Sequence, residues 1–452
     1  MHSIHFGTDG IRGKVGEWPI TAEAFNGIGQ ACCAWLKANN LDLKVAIGWD
    51  TRASGCALAH AFAQGFLGEG MGHVTFLNIT PTPAVAHFVE REGFSLGVAI
   101  TASHNPSTDN GLKLFHQGGY KLRKEEEACI ESWMNPQWGT SPSTSPHIHE
   151  INGSDYYIEH TLSDYDYLNF GGRKIVLDTA NGATVFTSLP ILKSLGLELI
   201  AMGDEPTGEN INLRCGSECC EGITKKMQES GAWLGMAHDG DGDRVVLFDE
   251  LGNRLDGDEV LGIIALDKFK KRQLNRNKLV VTEQSNSGLD WTLKNFGIRT
   301  IRTEVGDREV YYGMVAHDAN VGGESSGHVI LRDIAKTGDG LRIAIELMHM
   351  ALEQPLVERR KIITLFPKAE GALGVASKIP ITQLQCAKLF EKNHHRDANR
   401  MYMRYSGTEN KLRFLVEAAT DALCTQILAQ WMHEARLDFE RYKIMVNQCV
   451  TY

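Results

Sequence analysis

The segment HDGDGDRVVLF (238–248) places Asp239, Asp241 and Asp243 at alternate positions with only glycine between them. Glycine lets the backbone fold tightly, so three carboxylates that would otherwise repel one another can turn toward one hard cation. The same acids match positions 1, 3 and 5 of a calcium-binding EF-hand loop, with Glu250 at position 12. That reading fails on context: position 6 is Arg244 where glycine is required, and the residues after it read as a strand, not as the exit into a helix. A solvated acidic turn is the other alternative, and the apolar strand beside the acids favours a metal loop over it.

TASHNPSTDNGLKLF (101–115) follows an apolar strand directly, so Ser103 falls at a strand's carboxyl end, where open α/β sheets place reactive groups. A serine in an ordinary turn fits the same residues. RYSGTENKLRFLVEA (404–418) gathers Arg404, Ser406, Gly407, Thr408 and Arg413 around a turn whose hydroxyls, backbone N–H groups and guanidinium forks suit a phosphate dianion. An ordinary hairpin with polar tips accounts for it equally well. GGESSGHVI (322–330) offers Glu324, Ser326 and His328 to sugar hydroxyls, FGTDGIRG (6–13) offers Arg12, and TEVGDREVYY (303–312) offers Asp307 and Arg308. Either arginine fits a surface ion pair as readily. No one segment makes an enzyme; a nucleophile, a metal loop, a sugar loop and a phosphate loop in one chain do.

The elements that must position these groups alternate strand and helix. Strands are expected at 44–50, 73–79 and 95–101 with helices over 54–69 and 83–92 between them, which is a parallel α/β unit. A second round runs from 173 to 244 and a third from about 256 to 331, alike in pattern though not in residue identity. From about 371 onward short strands alternate with a long helix over 420–441, as expected of a smaller α+β domain. NPQWGTSPSTSPHIHE (135–150) reads as a flexible linker, with His147 and His149 as solvated loop residues.

At 452 residues the chain exceeds one hydrophobic core, and 42% hydrophobic with 23% charged residues excludes global disorder. A net charge of −10 argues against broad attraction to nucleic acid or to an anionic membrane, so an anionic ligand needs a focused pocket. No apolar stretch is long enough to span a bilayer and the first residues lack a signal-peptide pattern, so a cytoplasmic protein is expected. The ten cysteines are scattered, and Cys215, Cys219 and Cys220 lack a nearby fourth ligand for zinc.

FGTDGIRG, TASHNPSTDNGLKLF, DTANGAT, the NIN of 210–212, DGDGDR, VGDR, ESSGHVI, TGDG (337–340) and RYSGTE occur in this order over essentially the whole chain. In this the sequence resembles the α-D-phosphohexomutase superfamily and, within it, the bacterial phosphoglucosamine mutases. The resemblance implies an α/β protein of four domains around a central cleft, the first three of like topology with mixed sheets and the fourth a smaller α+β domain. They are expected at residues 1–152, 153–254, 255–368 and 369–452. It implies a phosphorylated Ser103 and a magnesium ion held by Asp239, Asp241, Asp243 and the phosphoserine. Arg12, Lys113, Arg244 and His328 would act near the phosphoryl group, and Glu324, Ser326, Asp307 and Arg308 would face the sugar. Arg404, Ser406, Gly407, Thr408 and Arg413 would grip the phosphate that is not transferred. The implied reaction interconverts glucosamine 6-phosphate and glucosamine 1-phosphate through a bound 1,6-bisphosphate, for UDP-N-acetylglucosamine and cell-wall precursors. Glucose or glucosamine 1,6-bisphosphate would serve as activator. Hexosamine monophosphate is the expected partner, with no nucleic acid and no membrane, and a homodimer is left open. A phosphomannomutase/phosphoglucomutase with the same mechanism is the alternative. Two departures from the family pattern stand out: Thr101 where serine is frequent, and Asn410 where the phosphate loop commonly has proline.

Overall fold

The computed structural model describes residues 4–68, 72–134, 148–387, 398–406 and 410–451. Four sheets follow one another along the chain. The first contains β1 (Ile11–Lys14), β2 (Lys44–Trp49), β3 (His73–Ile79), β4 (Leu96–Ile100), β5 (Asp109–His116), β6 (Tyr120–Lys121) and β7 (Ile148–Glu150). Its spatial order is β1-β5-β4-β2-β3-β7, with β6 attached to β5. The second, β8 (Lys174–Asp178), β9 (Glu198–Met202), β10 (Leu234–His238) and β11 (Val245–Phe248), has order β11-β10-β8-β9. The third, β12 (Lys278–Thr282), β13 (Arg299–Thr303), β14 (Val321–Gly323) and β15 (Val329–Leu331), has order β13-β12-β14-β15.

Each of these sheets has a parallel centre with antiparallel pairs at one side: β5 against β4, β1 and β6, β11 against β10, β15 against β14. The sheets are therefore mixed. Their parallel strands are buried on both faces and read as unbroken apolar runs; all five residues of LGVAI in β4 and of LGMAH in β10 are buried. The fourth sheet, β16 (Lys368–Val375), β17 (Ala398–Tyr405), β18 (Lys411–Ala418) and β19 (Val446–Thr451), is wholly antiparallel and packs against the helix Asp421–Arg441.

One expectation needs correcting. The presumed linker ends in β7, which pairs parallel to β3 with Val74 opposite Ile148. His149 therefore lies on a sheet edge with its ring 6.5 Å from that of His73. Residues 135–147, His147 included, fall outside the described residues, as do Gly407 and Thr408 of the phosphate loop.

The apolar cores follow the sheets, with one exception. Side chains of the second and third sheets, with the helix Gly340–Glu353 between them, form one shared buried cluster, while each of these sheets also has a smaller core of its own. The first and fourth sheets each have cores of their own.

Candidate active site

Four of the segments singled out for chemistry are hairpin connections, one in each sheet, while Arg12 lies on β1 and Asp307 and Arg308 open the helix after β13. Ser103 lies between β4 and β5, Asp239–Asp241–Asp243 between β10 and β11, and Glu324–Ser326–His328 between β14 and β15. The fourth connection, between β17 and β18, begins at Ser406. In the first three sheets the connection leaves the carboxyl end of a parallel strand, where backbone groups are no longer consumed by the ladder. The four converge on one cavity of about 620 Å³, lined among others by Arg12, His104, Arg244, Asp307, Glu324, Ser326, His328, Arg404, Ser406 and Arg413.

Buried next to the lining residue His104, the Ser103 hydroxyl donates to Asp239 Oδ2 at 2.7 Å. Ser103 is fully buried and left-handed, at φ +53°. Serine pays a steric penalty there that glycine would not, the kind of local strain that clusters at functional sites. Lys113, on β5, reaches Asp241 Oδ2 at 2.7 Å and Asp243 Oδ2 at 2.5 Å. Burial opposes the lysine's charge, yet these carboxylates raise its pKa above the ordinary value. Asp239 is pushed well up by burial and by the like charges of Asp241 and Asp243. Arg244 is also deeply buried, but Asp239 and Asp243 keep its pKa above normal.

Three acidic oxygens, one from each aspartate, lie within 4.8 Å of one another. Asp241 Oδ1 and Asp243 Oδ1 are buried without any hydrogen-bond donor. Orphaned carboxylate oxygens in a dry site are costly unless something positive meets them, and three hard oxygen donors suit magnesium. The residues present fit the cation.

The remaining residues fall into two groups. Arg12 pairs with Asp9, which also takes an ion pair from Lys121; Lys121 in turn reaches Asp307 Oδ2 at 2.8 Å. Burial would raise the Asp307 pKa, but Lys121 and His328 hold it well below the usual carboxylate range. Glu324 accepts from the Gly306 N–H at 3.0 Å, and neither ring nitrogen of His328 has a hydrogen-bond partner. Arg404 and Arg413 stand directly opposite each other on β17 and β18. Like charges in register destabilise a sheet, and burial together with Arg413 lowers the Arg404 pKa, so the pair favours an anion between them. Asn410 is tied to β16, its carbonyl accepting from Val375 N at 2.8 Å, and the hairpin is closed beside it by Ser406 N donating to the Lys411 carbonyl at 2.8 Å. Arg308 stands apart: it is buried against Glu127 and lines a neighbouring cavity of about 470 Å³.

Family comparisons bear on this arrangement. Models of the phosphoglucomutase/phosphomannomutase family match in chain order: alpha/beta/alpha domain I over residues 3–137, domain II over 155–252, domain III over 256–366 and the C-terminal domain over 356–434. The chain belongs to that family. Among family relatives, the phosphoglucosamine mutase of Thermodesulfovibrio yellowstonii is 38% identical over 94% of this chain and 97% of its own. That of Gluconacetobacter diazotrophicus is 38% identical over 94% and 96%. Among solved structures, a phosphoglucomutase/phosphomannomutase family protein from Burkholderia thailandensis superposes with a TM-score of 0.80 at 21% identity, covering 96% of this chain and 97% of that one. The Aspergillus fumigatus N-acetylphosphoglucosamine mutase, in complex with GlcNAc-6P and magnesium, gives 0.66 at 16%, covering 97% and 96%.

Within this phosphoglucomutase/phosphomannomutase-family site, four residues escape sequence reasoning. Thr82 donates to Asp241 Oδ2 at 2.5 Å from the start of a helix in the first sheet's layer. Asp9 collects the cations beneath the cleft. Arg52 and Asn212 bind the backbone of the Ser103 loop. Asp9 and Asn212 lie inside quoted motifs, which was the available signal; Thr82 and Arg52 carry none.

Proposed function

We propose that the protein interconverts glucosamine 6-phosphate and glucosamine 1-phosphate through a phosphorylated Ser103. The observation carrying this reading is the buried Ser103 hydroxyl bonded to Asp239, one residue from His104 in the lining of a cleft to which all four sheets contribute. The glucosamine assignment rests on the names of the full-length relatives. The product would feed UDP-N-acetylglucosamine synthesis in the cytoplasm.

In the forward direction the Oγ–P bond of phospho-Ser103 breaks as the free sugar hydroxyl bonds to phosphorus, leaving a 1,6-bisphosphate. His328, whose Nε2 lies 3.5 Å from Asp307 Oδ2 without a hydrogen bond, takes the hydroxyl proton. The bisphosphate turns over in the cleft and returns its other phosphoryl group to Ser103 Oγ. Asp239, Asp241 and Asp243, with an oxygen of the phosphoserine, would hold magnesium, which supplies positive charge to the phosphoryl oxygens when bound. Arg12, Lys113 and Arg244 add fixed positive charge around the same atoms. Arg404, Ser406 and Arg413 receive the idle phosphate, and Glu324 and Ser326 the sugar hydroxyls. A 1,6-bisphosphate from solution would restore a lost phosphoserine.

Ser103→Ala is expected to remove the phosphopeptide and turnover together, and turnover surviving in that variant would sink the mechanism. Parallel assays on glucosamine, mannose and glucose phosphates set the substrate class; faster turnover on mannose or glucose phosphate would favour the phosphomannomutase/phosphoglucomutase reading.

A further inference from the structure

The loop that carries Ser103 is held by its backbone from two directions. Arg52, whose side chain is wholly buried, threads beneath it. Its Nη2 donates to the carbonyls of Ser103 at 3.0 Å and Asn105 at 2.8 Å, and its Nη1 to those of Asp109 at 2.8 Å and Pro106. Arg52 is itself fixed by Asp50, whose Oδ2 accepts from Arg52 Nε at 2.9 Å and from Thr101 Oγ1 at 2.7 Å. Thr101 Oγ1 in turn accepts from the Ser103 N–H at 2.9 Å, closing the circuit. From the second sheet's domain, Asn212 Nδ2 donates to the carbonyls of Ser103 at 2.8 Å and Asn105 at 2.9 Å. Asn212 is also left-handed, at φ +58°, within a cluster that includes Ala180, Asn181 and Arg214.

We infer that Arg52 and Asn212 are positioning residues for the phosphoryl carrier. They grip carbonyls rather than the serine side chain, so the loop keeps one position whether or not Ser103 carries phosphate. Building on the proposed mutase reaction, this means the bound bisphosphate turns while the serine stays still. Only a planar fork with several N–H donors can satisfy four carbonyls at once; a lysine ammonium cannot. Neither residue lines the cleft, so neither should affect substrate affinity.

Two variants test this. Asn212→Gly removes the amide while keeping a residue that adopts positive φ freely. Arg52→Lys keeps the charge opposite Asp50 and loses the fork. The expected outcome is a kcat lower by about tenfold for Asn212→Gly and about 100-fold for Arg52→Lys, with KM changed by less than about twofold. Metal titration should match wild type, and the phosphorus NMR resonance of phospho-Ser103 should shift or broaden. Asn212→Gly decides the matter if Arg52→Lys does not fold. Wild-type kcat with an unaltered phosphorus resonance in Asn212→Gly would overturn the inference. So would kcat, KM and metal affinity worsening together, which marks a general structural loss. The phosphorus resonance is independent of the sugar: a wild-type protein inert toward glucosamine phosphates would remove the proposed reaction and leave the positioning measurable.

Discussion

Lys113 is an ammonium buried among carboxylates, and its position explains how three buried acids coexist beside Ser103. It neutralises one oxygen each of Asp241 and Asp243 and leaves the other two facing inward without donors. Breaking such a buried network from one side strands charge, so substitutions here should be costly out of proportion to their size. Thr82 gives a mild probe, because its hydroxyl orients Asp241 without joining the acid cluster. Thr82→Val should reduce magnesium or manganese affinity about 10- to 100-fold, as loss of an outer-shell partner does, and calorimetric titration would measure it. A wild-type affinity would mean Asp241 is held by Lys113 alone. Arg404 offers a test at the opposite wall. One site must accept the phosphate at either end of the sugar, so Arg404→Ala should raise KM for both the 1-phosphate and the 6-phosphate; a loss in one direction only would contradict that role.

Between elements, the decisive feature is how closely two connections approach. A Cβ on Gly240 would lie 2.8 Å from the Ser103 carbonyl and 2.7 Å from Ile211 Cδ1. Gly240→Ala should therefore push the serine loop away from the acid loop and lower kcat by about tenfold or more without loss of folding, measurable by steady-state assay beside a melting curve. The helices Thr82–Glu92 and Gly153–Asp164 join the first domain to the second. There His87 packs against Tyr156, Tyr157 and His160, and burial, with Arg342 and Arg91 nearby, lowers its pKa from 6.5 to about 3. Over that interval the unfolded chain binds the proton and the folded chain does not. Stability from this site is thus complete above about pH 6.5 and is lost as pH falls toward 3. His87→Gln should flatten part of the acid limb of the denaturation midpoint; an unchanged limb would place the acid sensitivity elsewhere.

Elements also mark what the sequence could reveal. Asp239, Asp241, Asp243 and Ser103 were legible because each motif is local and sits at the end of an unbroken apolar strand. The three-residue β7 was not, being too short to show a period and lying beside a Pro- and Ser-rich run. Arg52 was not, because four of its five acceptors are backbone carbonyls up to 57 residues away, and a carbonyl has no sequence signature.

At the scale of the whole molecule, the cores divide the chain into unequal partners. The second and third sheets share one core, while the fourth sheet keeps its own, so the fourth is the part whose displacement disrupts least apolar packing. What joins it to the third sheet's domain includes a polar latch. Arg400 on β17 donates to the Ser285 carbonyl at 2.8 Å and to Glu283 Oε2 at 2.6 Å, and Glu417 on β18 accepts from the Ser287 N–H at 3.1 Å. Arg400, Tyr402 and Arg404 alternate along β17, so the latch and Arg404, proposed to receive the phosphate, share one face of one strand. An overall charge of −10 would repel a sugar phosphate, and Arg404 and Arg413, opposed on β17 and β18, set positive charge in the lining of the cleft against that repulsion. Arg400→Met retains bulk and removes the arginine's part of the latch, leaving Glu417 on Ser287. Losing charged hydrogen bonds worth roughly 1.5–3 kcal/mol in the docked state should raise KM about 10- to 100-fold. Phosphorylation of Ser103, on a different sheet with its own clamp, should persist in the same variant, read by phosphopeptide mapping. If phosphorylation fell and KM held, the fourth domain would be supporting the serine loop rather than receiving the idle phosphate.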